Sequence, residues 1–353
     1  MRYFLPFILT TLLLMGTFCK TNGQTADTLA GRSSAAADSC MAGSTLKKNG
    51  GVAKCEGAYL IEEWGKFDKW VVREIKESGI IGGAIKHSYE IAPDDSIIGN
   101  IPYRNPQGCV WSTSSVMAVV SGVTKVSCSV FPEKRGDGNC ARLETRLEKV
   151  KVLGLVNLNV VASGTVFLGY IREPVRDTKN PQGKLCVGIP FTDRPKAIQL
   201  DFKTIVGHNR LRAGGLGAPK SLGDDDYSEC ALYLQKRWED DQGNVYAMRV
   251  GTAYERFTST DTTWNNGHQI EIKYGNITNE PFYREFMQLV PQEVEQYTVN
   301  SRGEAVPIKE IEWDESGTEA PTHIVLRISA SHGEAYVGDI TNRLWIDNVK
   351  LVY

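Results

Sequence analysis

Carboxylates and aromatic rings are the side chains in this sequence whose types and placing could do chemistry. In "GDDDYSE", Asp224, Asp225 and Asp226 are consecutive. Three adjacent carboxylates repel unless they are solvated or share a cation such as calcium. Consecutive side chains rarely converge on one ion, so the run reads as a solvated turn. Seven tryptophans and fourteen tyrosines supply candidate sugar platforms, because the apolar face of a pyranose stacks on a ring while nearby polar groups bind its hydroxyls. The rings in loop-like settings are Tyr103 and Trp111 in "NIPYRNPQGCVWSTSS", Trp264 in "TDTTWNNGH" and Trp313 in "IEWDESG". Trp64, Trp70, Trp238 and Trp345 fall on strands or a turn, where packing is their expected role.

Signatures of common enzyme classes are missing. The sequence has no HExxH, no GxSxG, no Walker loop and no GxGxxG ahead of a helix. Its five histidines, at 87, 208, 268, 323 and 332, include no pair spaced to put two ligands on one helix face. No serine or cysteine nucleophile can be nominated without a positioned base. Among 42 acidic residues no motif singles out a catalytic pair, so no catalytic residue is assigned.

The elements that must carry these residues read as strands. Val156, Leu158 and Val160 alternate with polar residues, as do Ile198, Leu200 and Phe202, then Ile270, Ile272 and Tyr274, while Ile324, Leu326 and Ile328 alternate with Val325, Arg327 and Ser329. Period 2 with one apolar side means antiparallel sheets covered on one face. Short helices are expected in "VVREIKES" and "REFMQLVPQEVEQY", but no βαβ rhythm appears. The terminal run "NRLWIDNVKLVY" breaks its own alternation. Leu344 and Ile346 share one parity while Val349, Leu351 and Tyr353 share the other, which predicts a β-bulge at Asp347 and Asn348. The expected fold is one large all-β sandwich of antiparallel sheets with some long loops.

The totals fit that fold. The chain has 353 residues, 41% hydrophobic and 23% charged, an ordinary globular composition with enough length for a sizeable core. Residues 1–23, with Arg2 ahead of an apolar run and Gly23 at a small-residue cleavage site, read as a secretory signal peptide. Cys19 would be the lipid-bearing residue of a lipoprotein, but Phe18 stands where that signal needs a small residue. No other run is long enough for a transmembrane span. Cleavage removes Arg2 and Lys20 and takes the formal net charge from −2 to about −4, which gives no footprint for nucleic acid. Residues 24–57 are small and polar and read as a flexible leader, leaving 58–353 as the folded domain. Seven cysteines remain after cleavage, and export permits some of them to pair.

Several segments together carry a resemblance. "LIEEW" (60–64), "WSTSS" (111–115), "CARLET" (140–145), "VGIPFTDRPKAIQLDFK" (187–203) and "APTHIVLRISASHGEAYVGDITNRLWIDNVKLVY" (320–353) stand in the order seen in the putative carbohydrate metabolism domain, an exported bacterial family once labelled xylanase-like. The sequence departs from the family where Asn342 and Arg343 replace the usual glycine-serine. The resemblance implies a jelly-roll sandwich similar to carbohydrate-binding modules, with the first and last strands side by side. It also implies a structural calcium ion held by an early glutamate and a late aspartate, which correspond to Glu62 and Asp347. The bulge would then aim Asp347 at Glu62; the alternative is a bulge whose aspartate bonds nearby backbone amides. In "PFTDRP", Arg194 offers a planar donor fork either to a sugar hydroxyl or to Asp193 or a carbonyl of its own loop.

The expectation is an exported, glycan-associated protein that contacts a polysaccharide or oligosaccharide through Tyr103, Trp111, Arg194 and Trp264, as a binding or accessory module. The alternatives are a glycoside hydrolase, which needs two facing carboxyl groups, and a surface structural or adhesin-like protein.

Overall fold

The computed structural model describes residues 54–353 apart from 79–82, 121, 153–155, 177–183 and 292–295. The signal peptide (1–23), Cys19 and Cys40, and all but the last four residues of the leader lie outside the described residues.

Eight strands build a two-layer sandwich. In chain order they are β1 (Gly138–Val152), β2 (Thr165–Ile171), β3 (Ala197–Ile205), β4 (Ser228–Glu239), β5 (Val245–Phe257), β6 (Asp261–Glu271), β7 (His323–Ser329) and β8 (Arg343–Val352). One sheet runs β6-β3-β8-β1 and the other β2-β7-β4-β5, with every neighbouring pair antiparallel. This is the strand order of a jelly roll, in which two Greek keys close on each other. The first and last strands are neighbours, Ile346 facing Ala141.

The alternating residues face inward as the sequence pattern requires. Ile198, Leu200, Phe202, Leu344 and Ile346 from one sheet pack with Leu232, Leu234, Ile324, Leu326 and Ile328 from the other in a single buried cluster. Each such side chain contributes roughly 1.5–3 kcal/mol by leaving water. The expected bulge is present: Gln199 faces Lys350 and Asp201 faces Asp347, so Leu200 alone spans Asn348 and Val349. Asn348 absorbs the extra residue with φ 51°, a left-handed conformation that asparagine tolerates better than most. Val349 and Leu351 thereby return to the core, 1% and 3% exposed.

Three local expectations are corrected. "VVREIKES" forms strand Trp70–Lys76, the middle strand of a small sheet with Ile85–Ile91 and Asp95–Ile98. In "REFMQLVPQEVEQY" the expected short helix is confined to one 3-10 turn, Glu285–Met287, and the segment runs into a strand, Gln296–Val299. In strand Val156–Ser163, Asn159 and Val161 are the buried residues while Leu158 and Val160 are half-buried. A helix that the sequence reading missed, Glu56–Trp64, sits at the N-terminal edge. Its end docks on the bulge: Val349 N–H donates to Gly65 O at 2.9 Å, and a β-carbon at Gly65 would lie 2.4 Å from Val349 O.

The two sheets differ in what covers their outer faces. Beyond β5 the second sheet continues through Ala305–Trp313, Gln296–Val299 and Leu185–Val187 back to β2. Its outer side is thereby enclosed around buried Arg249, Glu310 and Gln235. The outer side of the first sheet carries half-exposed polar and aromatic residues instead: Gln199, Lys203, Trp264 and Trp345. The expected cysteine pairing is not found among the described residues. Cys55, Cys109, Cys128, Cys140, Cys186 and Cys230 are all free thiols, carried on separate segments of the fold.

Candidate functional site

The outer face of β6-β3-β8-β1 gathers the most chemistry in one place. The bulge turns Asp347 onto this face opposite Asp201 of β3. Arg135 arrives from the end of the neighbouring strand Val130–Arg135, whose hairpin to β1 turns through Gly136 at φ 56°. Its two terminal nitrogens divide between the two acids. Nη1 donates to Asp347 Oδ2 at 2.7 Å and Nη2 lies 2.9 Å from Asp201 Oδ2. Nη2 also donates to Asn266 Oδ1 at 2.6 Å.

The other carboxylate oxygens are occupied as well. Asn348 N–H donates to Asp347 Oδ1 at 2.7 Å, Gly267 N–H to Asp201 Oδ1 at 2.7 Å, and Asn348 Nδ2 to Asp201 Oδ2 at 2.8 Å. Above this network the Trp264 ring lies 3.8 Å from the Arg135 guanidinium carbon, and Lys203 Nζ lies between Trp264 and Trp345, 5.5 Å and 4.4 Å from their ring centres.

The two acids have opposite proton preferences. Burial works against ionisation of Asp201, but the bonds from Asn348, Gly267 and Arg135 outweigh it and hold the carboxyl below the usual aspartate range. Burial dominates at Asp347, where Arg135 and the Asn348 amide offset it only partly, so that carboxyl is raised. Unequal carboxyls side by side are the raw material of acid–base catalysis. Here a guanidinium separates them, every oxygen is bonded, and they lie on a sheet face. The arrangement holds and orients its groups.

The other expected site residues are elsewhere: Trp111 and Tyr103 are packed inward, while Arg194 is exposed. Trp111 is 1% exposed, donates Nε1–H to Ile61 O at 3.2 Å and meets Phe67 edge-on at 5.5 Å; the loop-like "NPQGCVW" ends in a strand whose rings the core needs. Tyr103 is half-buried over Arg73, 5.4 Å from ring centre to guanidinium carbon, with its hydroxyl buried and unbonded among the described residues. Arg194 serves its own neighbourhood. It donates to Gly317 O at 2.7 Å and to Glu319 O and stacks 4.0 Å from the Tyr274 ring. Asp193 instead accepts from Cys55 N–H and from the Tyr353 hydroxyl, each at 2.8 Å.

The donor set does not fit a calcium ion shared by Glu62 and Asp347. Glu62 is paired with Lys54 at 2.5 Å and Asp347 with Arg135. Calcium takes six to eight oxygens, and no group of three or more His, Cys, Asp or Glu among the described residues is placed to hold a metal. The Asp224–Asp226 run likewise diverges. Asp224 meets Arg210 at 3.0 Å, Asp225 meets His208 at 2.9 Å, and Asp226, fully buried, accepts from Asp339 N–H at 2.7 Å and Ser331 Oγ at 2.5 Å.

Tyr103 belongs to a second cluster, beneath the small N-terminal sheet. Arg73, 0% exposed, reaches Glu90 at 3.0 Å and Glu173 at 2.6 Å. Glu173 also accepts from Met117 N–H at 2.7 Å and Tyr103 N–H at 2.9 Å. Burial pushes Glu90 up to about 8, with Arg73 pulling against it and Glu173 adding to it. The adjoining cavity, lined by Glu90, Tyr103, Ser112 and Glu173 among others, measures about 10 Å³, the scale of one water. It ties the N-terminal sheet to the sandwich and has no room for a sugar.

Sequence reasoning missed Arg135, Asp201 and Asn266. Asp201 carried a signal, being an outward acid in the alternating "IQLDFK"; Arg135 and Asn266 carried none. It also assigned Trp238 to packing, whereas that ring is 39% exposed and stacks on Tyr246 at 6.0 Å.

The family described as the putative carbohydrate metabolism domain matches residues 83–352. Among solved structures, the chain is similar to a protein described as a putative glycoside hydrolase from Bacteroides vulgatus ATCC 8482, with 16% identity, 79% of this chain and 91% of that chain covered, and a TM-score of 0.38. A second, so described from Bacteroides thetaiotaomicron VPI-5482, has 13% identity, 77% and 76% coverage and a TM-score of 0.39. No curated protein matches the chain.

Proposed function

The chain belongs to the putative carbohydrate metabolism domain family, and from that premise we propose that it is a glycan-binding module whose contact surface is the outer face of β6-β3-β8-β1, with Trp264 at its centre. The observation that carries this reading is that Trp264, half-buried, is held by Arg135 beneath it on the sheet face left uncovered, beside the polar groups of Gln199, Lys203 and Gln269. A ring fixed in this way loses little freedom on binding, and neighbouring amides and an ammonium group can take sugar hydroxyls. Shallow contact with a polysaccharide chain suits an open face better than a cleft does. The apolar N-terminal run with Arg2 supports export to the periplasm, cell surface or medium, and no helix among the described residues is long and apolar enough to cross a membrane.

The test is retention of the mature protein on a panel of immobilised polysaccharides, with reducing-sugar release assayed on each glycan that binds. Wild type is retained on at least one glycan without releasing sugar. Trp264→Ala weakens that retention about tenfold, the equivalent of ~1.4 kcal/mol, while its melting temperature stays within a few degrees. Sugar release would replace the binding module with a hydrolase. Undiminished retention of the variant would remove Trp264 and this face from the reading.

A further inference from the structure

We propose that the Arg135 guanidinium occupies a cation site built by Asp201, Asp347 and Asn266, so that the outer face of this jelly roll is pinned by a side chain in the role a metal ion would otherwise fill. The argument begins from convergence. Asp347 Oδ2 from β8, Asp201 Oδ2 from β3 and Asn266 Oδ1 from β6 lie 2.7, 2.9 and 2.6 Å from the two terminal nitrogens of Arg135. Three oxygens from three strands thus surround one charge centre, in the manner of hard oxygen ligands around a cation.

Charge and burial make a cation necessary there. The side chains of Asp201 and Asp347 are each 10% exposed and face each other across the sheet, and two partly buried carboxylates so placed repel strongly without a counter-charge. Lys203 does not meet this need. It is directed at Trp264 and Trp345, and the carboxylate it approaches is Glu133, at 3.9 Å. Arginine is suited to the position because its rigid planar fork presents separate nitrogens to the two carboxylates, where an ammonium group is a single point charge.

The backbone is arranged around this charge. The bulge delivers Asp347, and Asn348 spans the pair, its N–H on Asp347 and its Nδ2 on Asp201. Gly267 N–H fixes Asp201 from the third strand. Removal of the guanidinium therefore leaves a preformed set of three oxygens with two negative charges and space for water, which is a weak site for calcium or magnesium.

The proposal concerns this chain's own ion balance and holds whatever the face binds. Its test is the melting temperature of the mature protein in EDTA and in about 10 mM calcium chloride, a concentration above the weak end of protein calcium sites. Wild type melts at the same temperature in both. Arg135→Ala melts about 5–10 °C lower in EDTA, and calcium restores at least half of the loss while the same ionic strength of sodium chloride does not. Arg135→Lys, which keeps the charge and loses the fork, melts between the two and responds less to calcium; it replaces the alanine variant if that variant does not fold. A wild-type protein destabilised by EDTA would overturn the proposal, because a metal would then be doing the pinning. A destabilised Arg135 variant indifferent to calcium would also overturn it, by reducing Arg135 to an ordinary ion pair.

Discussion

Replacing Glu90 by glutamine should make the protein more resistant to alkaline pH. Glu90 shares Arg73 with Glu173, so two buried carboxylates lean on one positive charge. Its side chain is 5% exposed, and burial raises it from an ordinary 4.5 to about 8. Between those pH values the folded chain keeps a proton that the unfolded chain has released, so stability falls as pH rises and levels off above about 8. At about 1.4 kcal/mol per pH unit the whole span is on the order of 5 kcal/mol, and the interval from pH 6 to pH 8 roughly 3 kcal/mol. These are large fractions of the ~5–15 kcal/mol that holds a domain together.

Glutamine keeps the shape of Glu90, can accept from Arg73 and bond Thr113, and has no proton to lose. Urea unfolding followed by tryptophan fluorescence, at half-unit steps from pH 5.5 to 9, measures both proteins. The stability difference between Glu90→Gln and wild type should grow in favour of the variant by roughly 1.4 kcal/mol per unit until about pH 8. Parallel profiles would refute the reasoning, because Glu90 would then carry the same charge in the folded and unfolded states. A variant weaker by a constant amount would instead mean that the ionised carboxylate is the form Arg73 requires.

The remaining expectations concern the core and the bulge. Trp111→Ala should lower unfolding free energy by about 3–5 kcal/mol, the usual result of removing a fully buried large ring; a loss below ~1 kcal/mol in urea unfolding would return this ring to the surface. Asn348→Ala should cost about 1–2 kcal/mol, combining the left-handed backbone with the lost bond to Asp201. Asn348→Gly should cost less, since glycine accepts the backbone freely. Equal losses in the two variants would assign the whole effect to the side chain.

Period and punctuation in the sequence are local properties, and what depends on them was decided by the sequence alone. Alternation in 198–202 fixes which residues enter the core, because that strand buries one face and has only two. Strand His323–Ser329 buries both faces, Val325 included, which only the strands covering it decide. The parity slip at Asp347 and Asn348 fixes the bulge for the same reason, since keeping Val349 and Leu351 inside after Leu344 and Ile346 requires an extra residue. The resemblance across residues 60–353 implied a jelly roll of the carbohydrate family without any coordinates.

What approaches what across the sheets was decided only by tertiary structure. Trp111 and Trp264 both stand in loop-like settings in the sequence, yet one is sealed beside Phe67 and Ile61 and the other lies on Arg135, because ring burial depends on the element packed opposite. Arg194 has a free fork in the sequence and a bonded one in the fold, where the carbonyls of Gly317 and Glu319 come within reach. Asp347 was visible as a bulge acid, but its partner was not. Arg135 lies 212 residues away in the chain, and the two meet only because the hairpin of Val130–Arg135 with β1 lies next to β8. Charge pairing acts over a few ångströms of space and is blind to distance along the chain, so identifying the cation that answers Asp347 required the fold.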